Sequence, residues 1–489
     1  MATNLLNFDQ VVALTEQTIN TQFDLMFLTG VIDKDISLKL APNSDFGIFG
    51  TIKAPTVSIA LHNTVNPTQV SFAIPFDTGT AKYSSPLGQT EELNISGWTI
   101  ALDVNLKNLT LTSDYNGVKV SSVTKTAVDR YLNQSIYTVT AILLDFDNLN
   151  YGTAEVFDQS GKPSQNSTIL TMLNLLIKHM IKDGNPYLLS INPTLSKGSE
   201  SGLDAFKPTG VMYNTHLYDN VNAVSPFNTY NMLVMNQGRK LPWTETTLPK
   251  FSQNLASDDP EVQGRFYISR DQFNSAYIEA LVLPTLAKAM GGATKFTGGA
   301  GSWSYSHEKN TSGTDLQTGY NDFSVEQHTC SLKVDTDAST SDQVVLSGGG
   351  SFYKQTKAYN TDLKLIHWLT ATAEQKFSYT VTLEAGAEGE ITISFSSKKG
   401  ELTKSHWEST WLKITKPIEA AFFDSMTKEV ADRYSTWEAA DFSSFTKNAE
   451  PAFKALQDSI ILPAASVYFF KNMALTAEQD VQFDITIKN

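Results

Sequence analysis

Between Ile36 and Leu106 the chain places an apolar side chain at every second position, in the runs Ile36/Leu38/Leu40, Val57/Ile59/Leu61, Val70/Phe72/Ile74/Phe76 and Ile100/Leu102/Val104/Leu106. Successive strand residues point to opposite faces, so runs of this kind have one buried and one wet face and imply an antiparallel sheet. The residues before them follow another period. From Phe8 to Phe27 the apolar positions Phe8, Val11, Val12, Ile19, Phe23, Met26 and Phe27 fall mainly on one helical stripe, and Gly30 is placed to stop it. The pattern predicts an amphipathic helix of about 20 residues lying against a one-faced sheet.

The same change of period occurs again. Leu6-Asn7-Phe8-Asp9-Gln10-Val11 recurs loosely as Ile268-Ser269-Arg270-Asp271-Gln272-Phe273. Each copy reads as a helix start, with Asn7 and Ser269 as N-caps, Gln10 and Gln272 closing a capping box, and Leu6/Val11 and Ile268/Phe273 as hydrophobic staples. The second helix presents Phe273, Tyr277, Ala280 and Leu281 before Pro284. A glycine-rich, hairpin-like region then leads to the strand patterns Phe377/Tyr379/Val381/Leu383 and Ile391/Ile393/Phe395. Further helices are expected at Thr168 to Lys182, Ile418 to Tyr434 and Ala452 to Ile461, and strands at Tyr187 to Ile191, Val211 to Leu217, Tyr230 to Met235 and Val481 to Ile487. Polar joints at Ser196 to Gly210 and Thr244 to Gly264 place a boundary between units 1–262 and 263–489.

Composition narrows the functional classes. At 489 residues the chain is long enough for roughly two or three domains. Its net charge of −14 opposes nonspecific binding to nucleic acid, which requires Lys and Arg to neutralise phosphates. One cysteine, Cys330, excludes an intramolecular disulfide. No apolar run is long enough for a membrane span, and the N-terminus has no basic stretch followed by an apolar one, so synthesis in the cytoplasm without a signal peptide is expected, with any release by a non-classical route.

Catalytic patterns are weak. The seven histidines form no metal-binding pair at helical or strand spacing, and no cofactor is expected. Cys330 reads as a core residue rather than a nucleophile, and Ser351-x-x-Lys354 is one of four equivalent serine-lysine spacings. Asp145-Phe146-Asp147 could set two carboxylates on one strand face for Ca²⁺ or acid-base work, although a solvated face is the simpler reading. The positive signal is apolar capacity: helix against curved sheet either fills its interior or leaves an elongated groove. Helix phase nominates Val12, Ile19, Phe23, Phe27, Phe273, Tyr277 and Leu281 as ligand contacts.

Phe266-Tyr267-Ile268-Ser269-Arg270-Asp271-Gln272-Phe273, continuing to Leu281-Val282-Leu283-Pro284-Thr285-Leu286, resembles a segment of the clostridial P-forty-seven and OrfX proteins, which accompany certain botulinum neurotoxin genes. Ile461-Leu462-Pro463, Tyr468-Phe469-Phe470-Lys471 and Gln479-Asp480-Val481 resemble that family's ending, and Asn185-Pro186-Tyr187 is a looser match. The family ending tends to have glycines where this chain has Ala464-Ala465. The resemblance implies an α+β fold of two tubular lipid-binding (TULIP) units, each a long helix on a strongly curved antiparallel sheet. It further implies a non-enzymatic, bacterial, toxin-associated or insecticidal role and a lipid or hydrophobic small molecule as partner, with other proteins of a toxin gene cluster as candidate partners. The alternative is a structural or protein-interaction component of a toxin complex that binds no lipid. No family motif fixes individual lipid contacts.

Overall fold

A computed structural model describes residues 5–408 and 456–488, apart from 42, 61–67, 85–87, 150, 165–166, 197–205, 222, 245–247, 249, 290–294, 315–320, 336–338, 340–342, 360–364, 386–390, 458–459 and 465–466. The expected helix at 418–434 and most of that at 452–461 lie outside the described residues.

Among the described residues three sheets carry the fold, and every pairing between their strands is antiparallel. The first half of the chain builds one of them from β2 (Asp35–Lys39), β3 (Gly47–Ile52), β4 (Thr56–Ser58), β5 (Gln69–Ser84), β6 (Thr90–Asn94), β7 (Thr99–Thr110), β8 (Tyr137–Leu144), β9 (Glu155–Phe157) and β10 (Leu188–Leu195). β5 gives this sheet its curl. Residues Gln69 to Pro75 pair with β7, whereas Phe76 onward pair with β3, and a register shift falls between Thr51 and Ile52 at the change. Pro75 has no N–H for the ladder, and a bulge increases local twist, so the strand turns there. Gly50 sits opposite Gly79 at φ +149, where a Cβ would lie 2.1 Å from the Thr78 carbonyl oxygen.

The later half builds a second, six-stranded sheet in sequential order from β14 (Thr297–Gly299), β15 (Ser302–Thr314), β16 (Asn321–Val334), β17 (Gln343–Tyr359), β18 (Leu365–Ala385) and β19 (Ile391–Glu408). Trp303, Tyr305, Cys330, Leu332, Leu346, Tyr379 and Val381 are buried on one face, while Ser304, Ser306, Thr329 and Ser331 are exposed on the other. Between the two lies a central sheet ordered β11 (Pro208–His216), β12 (Thr229–Asn236), β1 (Gln10–Thr15), β13 (Gly264–Ile268), β21 (Val481–Lys488) and β20 (Val467–Leu475). Three of its strands precede residue 262 and three follow it, and β1 pairs with β13 at the middle, Gln10 opposite Ile268.

The first helix differs from expectation. Gln10 to Thr15 form β1, and α1 runs only from Glu16 to Leu28, with Thr15 as N-cap. Asn7 is not a cap: it lies in the left-handed region at φ 66, and Leu6 beside it at φ 56. The cause is burial on both faces. Val12 and Leu14 enter the main core while Val11 and Ala13 enter a second cluster with Leu248, Phe251 and Leu255, so β1 shows no alternation and imitates a helical stripe. Gly30, at φ 75, does follow the end of α1. Two more helices, α2 (Ser122–Leu132) and α3 (Ser167–Met180), pack on the first-half sheet. The helix at Ser269 starts where expected, but without the capping box: the Ser269 N–H bonds the Asp9 carbonyl at 2.8 Å, and Gln272 Oε1 accepts from Arg239 instead. The Ser269 cap oxygen accepts from Gln272 N–H at 3.2 Å, and α4 (Arg270–Phe273), a π-helical segment Asn274–Val282 and α5 (Leu283–Ala289) run on without a break. No helix among the described residues is long and apolar enough to cross a membrane.

Candidate functional site

The buried face of α1 presents Ile19, Gln22, Phe23 and Met26. Phe23 meets Tyr187 edge-on at 6.1 Å between ring centroids, and Tyr187 meets Phe72 at 4.9 Å and Phe146 at 5.4 Å. This aromatic nest fills the space between helix and sheet. On the second helix Phe273 and Tyr277 stack at 5.0 Å, both buried, and burial holds the Tyr277 hydroxyl well above its ordinary pKa.

Val12, Ile19, Phe23, Phe273 and Tyr277 therefore belong to one continuous core. Val12 reaches it from β1 rather than from a helix, a correction to its assigned place. Leu281 lies in the π-helical segment, with its side chain outside those described. Phe27 behaves differently from the others. It is half-buried, carries the Lys34 ammonium 5.1 Å from its ring centroid, and lines a cavity of about 630 Å³ with Leu28, Ile52 and Ala54, rimmed by Asp24, Asp35, Lys53 and Asp77. Leu28 is 70% exposed there, on a helix whose other apolar residues are buried or half-buried.

A smaller cavity of about 290 Å³ lies between the π-helical segment and the β14–β15 hairpin. Leu283, Ala287, Phe296 and Trp303 supply apolar walls, and Glu279 and Lys295 are its charged groups. Sequence reasoning passed over Glu279, Phe296 and Trp303. Glu279 and Trp303 come together across 24 residues, with Trp303 Nε1–H donating to Glu279 Oε1 at 2.8 Å, a pairing that no local period announces. A third hollow, about 760 Å³, opens on the later sheet and is lined largely by Ser, Thr and Gly, including Ser306, Thr329, Gly349 and Ser351.

Buried carboxylates gather along the central sheet. Asp9 accepts from the Asn236 N–H at 2.8 Å and pairs with Arg239, Glu16 accepts from the Ile59 N–H at 2.8 Å, and Asp480 accepts from the Arg270 N–H at 2.8 Å. Loss of hydration outweighs these bonds, so burial pushes Asp9 up to about 6 and Glu16 and Asp480 up to about 7. Each joins segments far apart in sequence. The Asp145-Phe146-Asp147 motif is a turn rather than a strand face, and both of its carboxylates meet Lys107, at 3.7 Å and 3.0 Å. Cys330 is buried and its thiol is pushed up to about 12, which disfavours the thiolate a nucleophile needs. Among the described residues no group of three or more His, Cys, Asp or Glu could hold a metal ion.

No protein-family model matches the chain, and no curated protein matches it. Among solved structures it is similar to a crystal structure of a lipopolysaccharide binding protein, at 9% sequence identity and a TM-score of 0.31, with 99% of each chain covered.

Proposed function

We propose that this chain binds a lipid or another apolar ligand and performs no chemistry on it. The observation that carries the reading is the pair of cavities that open beside the two helices, one at the α1 end next to Phe27 and Leu28, the other, apolar-walled, along the π-helical segment. The second has mainly apolar walls with Glu279 and Lys295 as its charged groups, and the first sets Phe27, Leu28, Ile52 and Ala54 among the charged Asp24, Lys34, Asp35, Lys53 and Asp77; apolar surface beside charge suits an amphiphile. The central sheet supports a reading of two TULIP-like units, 1–262 and 263–489. Each half gives it a first strand that leads straight into a helix, β1 into α1 and β13 into α4, and a closing hairpin, β11–β12 and β20–β21. The resemblance of Phe266 to Phe273 and of Ile461 to Val481 supports a toxin-associated or insecticidal role in a bacterium.

Mass spectrometry of organic extracts from the purified chain tests this. Reproducible lipid that is lost on Leu28→Asp or Phe27→Asp, with thermal melts unchanged, is the expected result. Extracts without lipid, together with no uptake of a fluorescent fatty acid, would sink it. The aromatic nest of Phe23, Phe72, Phe146 and Tyr187 favours the second reading, a filled structural or interaction component; in that case native mass spectrometry finds the chain at its bare mass.

A further inference from the structure

We infer that the slot between the π-helical segment and the β14–β15 hairpin takes the tail of a single-chain amphiphile and selects a hydrogen-bond-donating, cationic head, an alkylammonium in chemical class. The inference rests on the apolar-ligand reading above and adds a place and a head-group chemistry to it. The slot, about 290 Å³, has Leu283 and Trp303 as buried walls and Phe296 half-buried beside them. That volume is at the low end for a small-molecule site and suits one short chain rather than a protein segment.

Its polar end is built around the Glu279 carboxylate. The Trp303 Nε1–H bond to Oε1 at 2.8 Å fixes the Glu279 carboxylate, and it occupies only one of the two carboxylate oxygens. No side chain screens this group from the hairpin: a Cβ on Gly299 would have Glu279 Oε1 as its nearest atom, at 3.8 Å. A fixed carboxylate at the end of an apolar slot calls for a donor, and a chain of net charge −14 draws cations toward it. Lys295, the group that would favour an anionic head, is exposed, so its attraction is screened by water, whereas Glu279 is half-buried and held in place.

The test compares dodecylammonium, dodecanol and dodecanoate below their micellar concentrations, by titration calorimetry on the full chain at neutral pH. Dodecylammonium is expected to bind tightest. Glu279→Gln keeps an oxygen for Trp303 and removes the charge; it should weaken dodecylammonium at least tenfold and leave dodecanol within about twofold. Ala280→Phe, at an exposed position on the slot, should fill it and remove binding of all three. Dodecanoate binding as tightly as dodecylammonium overturns the inference, as does an unchanged preference in Glu279→Gln. Lipid in extracts of a wild-type chain that binds no dodecylammonium sinks the slot alone; extracts without lipid and no binding of any probe sink the general reading with it.

Discussion

Three buried carboxylates set the pH response of the chain at the level of single residues. Asp9, Glu16 and Asp480 have folded-state pKa values of about 6, 7 and 7, raised by burial above the 3.8 to 4.5 of the free groups. A raised pKa means that the folded state holds the proton more tightly than the unfolded chain. The stabilisation from these protons is fully present below about pH 4 and is lost as the pH rises through 6 to 7. Stability measured by urea unfolding should therefore fall between about pH 4 and 7 from this source. Glu16→Gln should flatten the fall by up to about 1.4 kcal/mol per pH unit; an unchanged slope would mean that Glu16 stays ionised throughout. A second residue-scale expectation concerns Phe23, fully buried against Tyr187. Phe23→Ala should cost about 3–5 kcal/mol in the same assay. Phe23 and Ile19 were legible from helix phase, because covered apolar positions on an amphipathic helix repeat with its turn. Glu279 and Trp303 were not, since neither neighbour in sequence predicts the other.

At the scale of elements, the hydroxyl caps decide where the helices begin. Thr15 accepts from the Thr18 N–H at 3.2 Å and is 2.8 Å from the Thr18 hydroxyl; Ser269 accepts from the Gln272 N–H at 3.2 Å. Thr15→Ala and Ser269→Ala should each lower stability by about 1 kcal/mol, read by thermal melts. A loss below about 0.3 kcal/mol at Thr15 would mean that its hydroxyl contributes nothing to holding the helix start. The sequence showed β5 and β7 clearly, because their apolar residues alternate with polar or small ones, even where Ser71 and Asp103 are buried with a mutual hydrogen bond. It hid β1, whose two faces are both covered, and α2, which is short and whose only fully buried apolar side chain is Val128. It also hid the bend in β5, where a prediction follows from geometry. Gly50→Ala would press a Cβ against the Thr78 carbonyl and should cost about 1–3 kcal/mol.

For the whole molecule, the central sheet makes the two halves of the chain interdependent. β1 and β13 are each other's neighbours, and the halves also meet where Ile191 and Ile461 exchange backbone hydrogen bonds at 2.9 and 2.8 Å, and where Thr124 donates to the Pro463 carbonyl at 2.8 Å. Fragments 1–262 and 263–489 expressed separately should each expose an unpaired central strand and aggregate, whereas co-expressed fragments should co-purify as a one-to-one complex by size exclusion. Two soluble monomeric fragments would refute this. The arrangement also bears on synthesis. Gln10 pairs with Ile268, 268 − 10 = 258 residues later, and β21, which completes the pairing of β13, begins only at Val481. At roughly 5–20 residues per second the ribosome holds β1 without this partner for roughly 13–50 s. During translation the nascent chain must therefore shelter a strand that is apolar on both faces, a task that falls to a chaperone or to the first-half sheet closing over it.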